Sequence, residues 1–231
     1  MGSFGNLKIK NKIPFSKLQI KAIALSWRPK LAIFAHKYTK MSFLEPLELK
    51  RILDNLNIGG TMLYPSDTLW ALGCDAENEA AIDKIIRLKE KKEAYPMVVL
   101  VGSLKMLLRY VPQLGPKAGD LIEYYEKPLT ILYDNCQLPD KLKASDGTTA
   151  IRVVKETSCA SIINTYGKAI VSTIASATES QFPNSFEEVP DGIKKGVDYI
   201  AKFDKNHRSG TASTIIRINS KNELIFLRKD Y

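Results

Sequence analysis

The chain has 231 residues, 45% of them hydrophobic and 26% charged, with a formal net charge of +9; that length and composition give it a core of its own and exclude the disordered and fibrous classes. Nine of its 34 basic residues and none of its 25 acidic ones lie in residues 1–40, so the formal charge from Met41 onward is zero and the excess belongs to the leader. Three widely spaced cysteines, Cys74, Cys136 and Cys159, form no C-x-x-C pair, which excludes a disulfide framework or zinc knuckle and points to buried thiols in a reducing, cytoplasmic setting.

The leader carries apolar patches from Ile20 to Trp27 and from Leu31 to Ala35, split by Arg28, Pro29 and Lys30. Neither is long enough to span a bilayer, and no apolar stretch leads to a small-residue cleavage site. A regular helical pattern opens after Met41. The expected organisation is therefore a leader or N-terminal extension over residues 1–40, a misassigned start being one origin, and one domain over residues 41–231. A nucleic-acid-binding basic arm is the functional alternative for the leader. For the domain, zero net charge predicts weak RNA affinity with a shallow salt dependence.

From Glu45 to Asn57, Leu47, Ile52, Leu53 and Leu56 recur at helical spacing, and Asn57-Ile58-Gly59-Gly60 ends the pattern. A strand follows from Thr61 to Tyr64. Asn78 is placed to cap a helix to Lys89, with Ala81, Ile82, Ile85 and Ile86 facing inward. The apolar run Met97 to Val101 reads as a strand covered on both faces. Short helices are predicted from Ser103 to Arg109 and from Pro116, a first-turn proline, to Tyr125. Further strands are expected at Leu129 to Tyr133, Thr149 to Val153, Ala169 to Thr173, Val197 to Ala201, Ser213 to Ile218 and Leu224 to Leu227. Helices at Thr157 to Tyr166 and Phe186 to Lys195, closed by Gly167 and Gly196, lie between them. Strands outnumber the intervening helices, so the expected fold class is α/β with a single twisted mixed sheet and helices on its faces.

Neither G-x-x-x-x-G-K-(S/T) nor G-x-G-x-x-G occurs, so neither a P-loop nor a dinucleotide site is supported. The two histidines, His36 in the leader and His207 in a loop, make a histidine-based triad or metal site a poor reading, and no metal ligands are identified among the side chains. Chemistry must then rest on positioning and cationic stabilisation. Five segments supply suitable groups: Tyr64 to Gly73, the lysine cluster Lys89 to Lys92, Lys127 to Thr130, Ala150 to Val153, and Val171 to Thr173 with Ser213 to Ile215. Each alone also reads as an ordinary turn or a solvated helix end. Arg152 differs. It sits between apolar residues in a strand pattern, where a guanidinium requires an anionic partner, either a structural carboxylate or a phosphate.

The order and spacing of these segments resemble the YrdC/YciO family. Its first-strand signature runs roughly G-G-x-x-x-Y-P-T-(E/D)-T-x-(Y/W)-G-(L/I)-G, and this chain reads Gly59-Gly60-Thr61-Met62-Leu63-Tyr64-Pro65-Ser66-Asp67-Thr68-Leu69-Trp70-Ala71-Leu72-Gly73. The likeness covers about residues 45 to 228. The resemblance implies a YrdC-like fold with a large open cleft and the activity of an L-threonylcarbamoyladenylate synthase. In that reaction L-threonine, bicarbonate and ATP yield threonylcarbamoyl-AMP and pyrophosphate for N6-threonylcarbamoyladenosine in tRNA. It implies ATP as substrate, with Mg2+ on its phosphates, and tRNA or double-stranded RNA and other tRNA-modification proteins as partners. By family position Lys89 and Lys91 face the phosphates, and Ser66, Thr68 and Arg152 hold threonine or phosphate. Thr130, Ser172 and Ser213 supply hydroxyls to nucleotide and carbamate, and Ser176 stands at a family asparagine.

The chain also departs from that pattern. The family's K-x-R becomes Lys89-Glu90-Lys91, which keeps charge and loses a planar fork. Its S-T-S-A-N becomes Ser172-Thr173-Ile174-Ala175-Ser176, and Ala71 stands where a glycine is usual. These departures carry the alternative reading, a YciO-like nucleotide- or RNA-binding paralogue without the full reaction.

Overall fold

Apolar runs of strand length alternate with amphipathic stretches, and the computed structural model resolves them into a mixed α/β fold; it describes residues 44–89, 97–155, 158–176, 182–203, 212–219, 221 and 223–228. The expected leader, Lys91, Thr157 and His207 lie outside the described residues. In chain order the elements are α1 (Pro46–Asn57), β1 (Met62–Pro65), β2 (Trp70–Gly73), α2 (Glu79–Leu88), β3 (Val98–Val101), α3 (Leu104–Tyr110), α4 (Pro116–Tyr124) and β4 (Leu129–Tyr133). A 3-10 turn (Asp140–Leu142), β5 (Thr149–Val153), α5 (Ser158–Tyr166), β6 (Ile170–Ile174), α6 (Asp191–Gly196), β7 (Tyr199–Ile200), β8 (Thr214–Ile218) and β9 (Leu224–Arg228) follow. No helix of the described residues is long and apolar enough to cross a membrane.

Local chemistry explains the helix ends. Asn78 accepts the Ala81 N–H at 3.1 Å, and Ser103 accepts that of Met106 at 3.2 Å, so both expected caps form. Pro116 occupies the first turn of α4. After α5, Gly167 adopts φ 79°, a left-handed conformation that glycine takes without a Cβ penalty.

The strands pair in the order β7-β1-β2-β6-β3-β5-β4-β8-β9. Pairing is parallel at β1/β7, β3/β5 and β4/β8 and antiparallel elsewhere, so the sheet is mixed as expected. Val171, Val99, Ile151, Ile131 and Ile216 stand in one register row across five strands and are at most 1% exposed. Side chains alternate along a strand, so this row belongs to the face on which the core is built; α3 and α5 pack on β3. The alternate row, Ser172, Val98, Ala150 and Leu132, borders a cavity instead.

Four sequence expectations are corrected. The helix expected from Phe186 to Lys195 spans only Asp191–Gly196, because Pro190 holds the residue before it out of helical conformation. The strand expected at Val197 to Ala201 shrinks to Tyr199–Ile200, the length that pairs with β1. A strand absent from the sequence reading, β2, pairs antiparallel with β1, and so the Tyr64 to Gly73 motif is a hairpin. Leu47 is 57% exposed while Glu48 is buried. Glu48 is satisfied there, accepting the Tyr199 hydroxyl at 2.8 Å and the Lys202 N–H at 2.6 Å.

Gly73 marks the tightest point of the hairpin. A Cβ there would stand 2.7 Å from both the Tyr64 ring and the Val171 carbonyl oxygen, and the latter is backbone fixed within the sheet. Gly73→Ala is expected to destabilise the fold by about 1–3 kcal/mol, read as a lowered urea midpoint at unchanged slope.

Candidate active site

The cavity has a volume of about 640 Å³ and is bordered by β2, β3, β4, β5, β6, β8 and β9. Of the nine residues singled out from the sequence, Ser66, Thr68, Lys89, Arg152, Ser172, Ser176 and Ser213 line it. Thr130 is fully buried behind it, and Lys91 lies outside the described residues.

The β1–β2 turn is built around Ser66. Its Oγ accepts the N–H groups of Thr68 and Leu69, each at 3.1 Å, and donates to the Leu69 carbonyl at 2.7 Å. Those bonds make Ser66 the hub of a tight turn, and they aim the next residues at β5. Arg152 meets that turn. Its Nη2 lies 2.7 Å from Asp67 Oδ1, with the two side chains 4% and 10% exposed, and 3.4 Å from Thr68 Oγ1. The anionic partner that the sequence demanded is thus a carboxylate of the turn. The Arg152 Nε–H is buried and has no hydrogen-bond partner among the described residues. An unpaired donor on a buried guanidinium is costly.

Lys89 follows α2 directly, where a cation suits the carbonyl end of a helix. Its stem is buried, and Nζ donates to the Ile174 carbonyl at 2.6 Å. That bond carries the ammonium to the end of β6, between Ser172 and Ser176. On the far side of the cavity, Thr130 Oγ1 and Ser213 Oγ lie 2.8 Å apart. Thr130 thus meets Ser213, which lines the cavity, and not the cavity itself.

Arg228 is a cavity cation that the sequence reading did not single out. Its Nε donates to the Ser213 carbonyl at 2.9 Å, and Nη2 approaches Ser213 Oγ at 3.3 Å. Burial first, and the neighbouring Arg152 charge second, lower the guanidinium's pKa. Among the described residues no carboxylate pairs with it. A register row Arg152, Thr130, Ile215, Arg228 runs across β5, β4, β8 and β9 and explains how two cations far apart in sequence share one wall. Arg152 sits between apolar residues in its strand, but Arg228 ends its apolar run and is followed by Lys229 and Asp230, so the sequence alone gave no such signal for it. Asp67 was legible as a turn residue only.

Asp146 also lines the cavity. Its carboxylate accepts the Thr148 hydroxyl at 2.7 Å and pairs with Arg217 at 3.1 Å, and the Thr148 bonds foremost lower its pKa. The three cysteines are buried and free. Burial raises the Cys159 thiol far above its ordinary range, which keeps it protonated and a poor nucleophile. Among the described residues no group of three or more His, Cys, Asp or Glu side chains is disposed to hold a metal ion.

Known proteins resemble this chain in sequence and in fold. A sequence model of the Sua5, YciO and YrdC domain, described as "Telomere recombination", matches residues 54–229. The threonylcarbamoyl-AMP synthase of Halorhodospira halophila is 27% identical over 146 residues, covering 62% of this chain and 76% of that protein. The enzyme of the same name from Idiomarina loihiensis is 26% identical over 171 residues, covering 72% and 90%. Among solved structures, P. abyssi Sua5 complexed with L-threonine aligns with a TM-score of 0.70 at 19% identity, covering 80% of this chain and 55% of that one. E. coli YciO aligns with a TM-score of 0.67 at 22% identity, covering 79% and 88%. The likeness to both is one of fold, and this chain spans little more than half the length of the Sua5 chain.

Proposed function

The chain belongs to the Sua5, YciO and YrdC family, and from that premise we propose that its cavity forms threonylcarbamoyl-AMP and pyrophosphate from L-threonine, bicarbonate and ATP. The observation that carries this reading is the buried Arg152, tied to Asp67 through Nη2 alone and left with an unpartnered Nε–H, in one cavity with Lys89 and Arg228. Three cations around a chamber with apolar walls suit a nucleotide phosphate chain and an amino-acid carboxylate. They favour negative charge strongly where water is scarce.

The threonine amine and bicarbonate combine to a carbamate with loss of water. A carbamate oxygen then attacks the α-phosphorus of ATP, and the bond to the β-phosphate oxygen breaks to release pyrophosphate. No side-chain nucleophile is needed, which fits a site whose nearby thiol is held protonated. In this reading Arg152 and Thr68 receive the threonine carboxylate, and Ser66 shapes the turn that presents them. Ser172 and Ser213 supply hydroxyls to the carbamate and nucleotide, with Thr130 orienting Ser213. Lys89, with Ser176, faces the β- and γ-phosphates, a role that family position also assigns to Lys91, and Arg228 adds charge beside Ser213. Magnesium would arrive on the nucleotide. Mg2+ is held chiefly by phosphate and water oxygens, and Asp146, whose oxygens already accept from Thr148 and Arg217, offers at most one carboxylate. The product is a reactive mixed anhydride, so a tRNA-modifying partner in the same compartment would consume it.

A second reading, a nucleotide-binding paralogue without synthesis, is favoured by one observation: Ile174, a hydrocarbon side chain, lines the cavity beside the Lys89 ammonium. Pyrophosphate release by the purified chain separates the two. Release from ATP that requires both L-threonine and bicarbonate, with the adenylate identified by mass, is the expected result. Nucleotide binding without release under any combination would overturn synthesis in favour of the binding paralogue.

A further inference from the structure

We infer that Ala71 and Ile174 act as one specificity-determining pair, an apolar step in the cavity wall that weakens its hold on the terminal phosphates of a nucleoside triphosphate. The inference rests on the reading of the cavity as a nucleotide site.

The sheet register places Ala71 of β2 directly opposite Ile174 of β6, and both line the cavity. Residues opposite each other on antiparallel strands project to the same face with their Cβ atoms about 5 Å apart, so the two side chains make one continuous surface. Along β6 and its extension the cavity meets a hydroxyl at Ser172, hydrocarbon at Ile174 and a hydroxyl at Ser176. The break falls beside a cation, because the carbonyl of Ile174 accepts the Lys89 ammonium at 2.6 Å. The charge assigned to the terminal phosphates is thus flanked by carbon on two adjacent strands.

Two consequences follow for a phosphate chain laid against this wall. Phosphoryl oxygens that lose water there gain no donor from the side chains at positions 71 and 174, and an unsolvated polar oxygen against hydrocarbon is penalised. Isoleucine on a strand is also stiff about χ1 and does not swing aside. A nucleoside monophosphate, whose single phosphate lies nearer the nucleoside, avoids the step. The ratio of ATP to AMP affinity is therefore held down by this pair, while the affinity for the nucleoside part is not.

Calorimetric titration of the full chain with Mg-ATP and with AMP tests this in Ala71→Gly, Ile174→Ser, Ile174→Thr and the Ala71→Gly/Ile174→Ser double variant. The threonine variant keeps β-branching should the serine variant fold poorly. One recovered hydrogen bond to a charged group predicts that either Ile174 variant tightens ATP by roughly tenfold or more, with AMP changed less than twofold. Neighbouring side chains couple, so the double variant should depart from the product of its singles. Equal shifts for ATP and AMP, no shift for ATP in both Ile174 variants, or no nucleotide binding at all would overturn the inference. Pyrophosphate release in the same proteins keeps the two readings apart. Absent release with a raised ATP to AMP ratio removes synthesis and leaves the pair. Release with an unmoved ratio removes the pair and leaves synthesis.

Discussion

Arg152→Leu is expected to reduce threonine-dependent pyrophosphate release by about 10²- to 10³-fold, the range seen when a preorganised donor to developing charge is removed. The same change should also destabilise the fold, because it strands Asp67, only 10% exposed, without its counter-ion. Breaking one side of a buried pair costs about 3–5 kcal/mol. Activity loss and stability loss are separable. In the double variant Asp67→Asn/Arg152→Leu no uncompensated charge remains, so thermal stability should recover much of the loss while release stays low. Recovery of release together with stability would mean that Arg152 serves the fold alone. Calorimetric titration with L-threonine in the presence of ATP adds a check, since removal of Arg152 should weaken threonine binding more than nucleotide binding.

Lys89→Met should lower kcat/KM for ATP by about 10²-fold with little effect on the threonine dependence. Methionine replaces the buried aliphatic stem and removes only the ammonium. Stability should change modestly, since a cation at a helix C-terminus contributes about 0.3–1 kcal/mol and the Ile174 carbonyl also accepts the Ser176 N–H at 2.8 Å. The measurement is single-turnover release over a range of Mg-ATP concentrations. An unchanged kcat/KM for ATP would place the phosphate chain away from Lys89 and would undercut the roles given to Ser176 and Lys91 along with it.

Both expectations concern residues read from the sequence, yet their meaning changed once partners were visible. From sequence, Ser66 and Thr130 offer hydroxyls to a ligand. The structure places the Ser66 hydroxyl within its own turn, at the cavity edge, and the Thr130 hydroxyl against Ser213. Arg228, followed by Lys229 and Asp230, reads from sequence as a solvated charge, and only the sheet register sets it in the wall that holds Arg152. Ala71 and Ile174 were legible as departures from a pattern, but nothing in their sequence separation says that they face each other.

What the sequence determined by itself is what short-range physics determines: the caps at Asn78 and Ser103, the stop at Gly167, the apolar strand runs, the mixed α/β class and the need of Arg152 for an anion. Each depends on interactions within a turn or two of chain, which the order of residues states directly. The tertiary structure alone decided which groups meet. Arg152 finds Asp67 across 85 residues, Lys89 finds Ile174 across 85 and Thr130 finds Ser213 across 83. Such pairings follow from strand order and register, which are set by the burial of one whole sheet face at once, and the sum of many weak apolar contacts has no local signature.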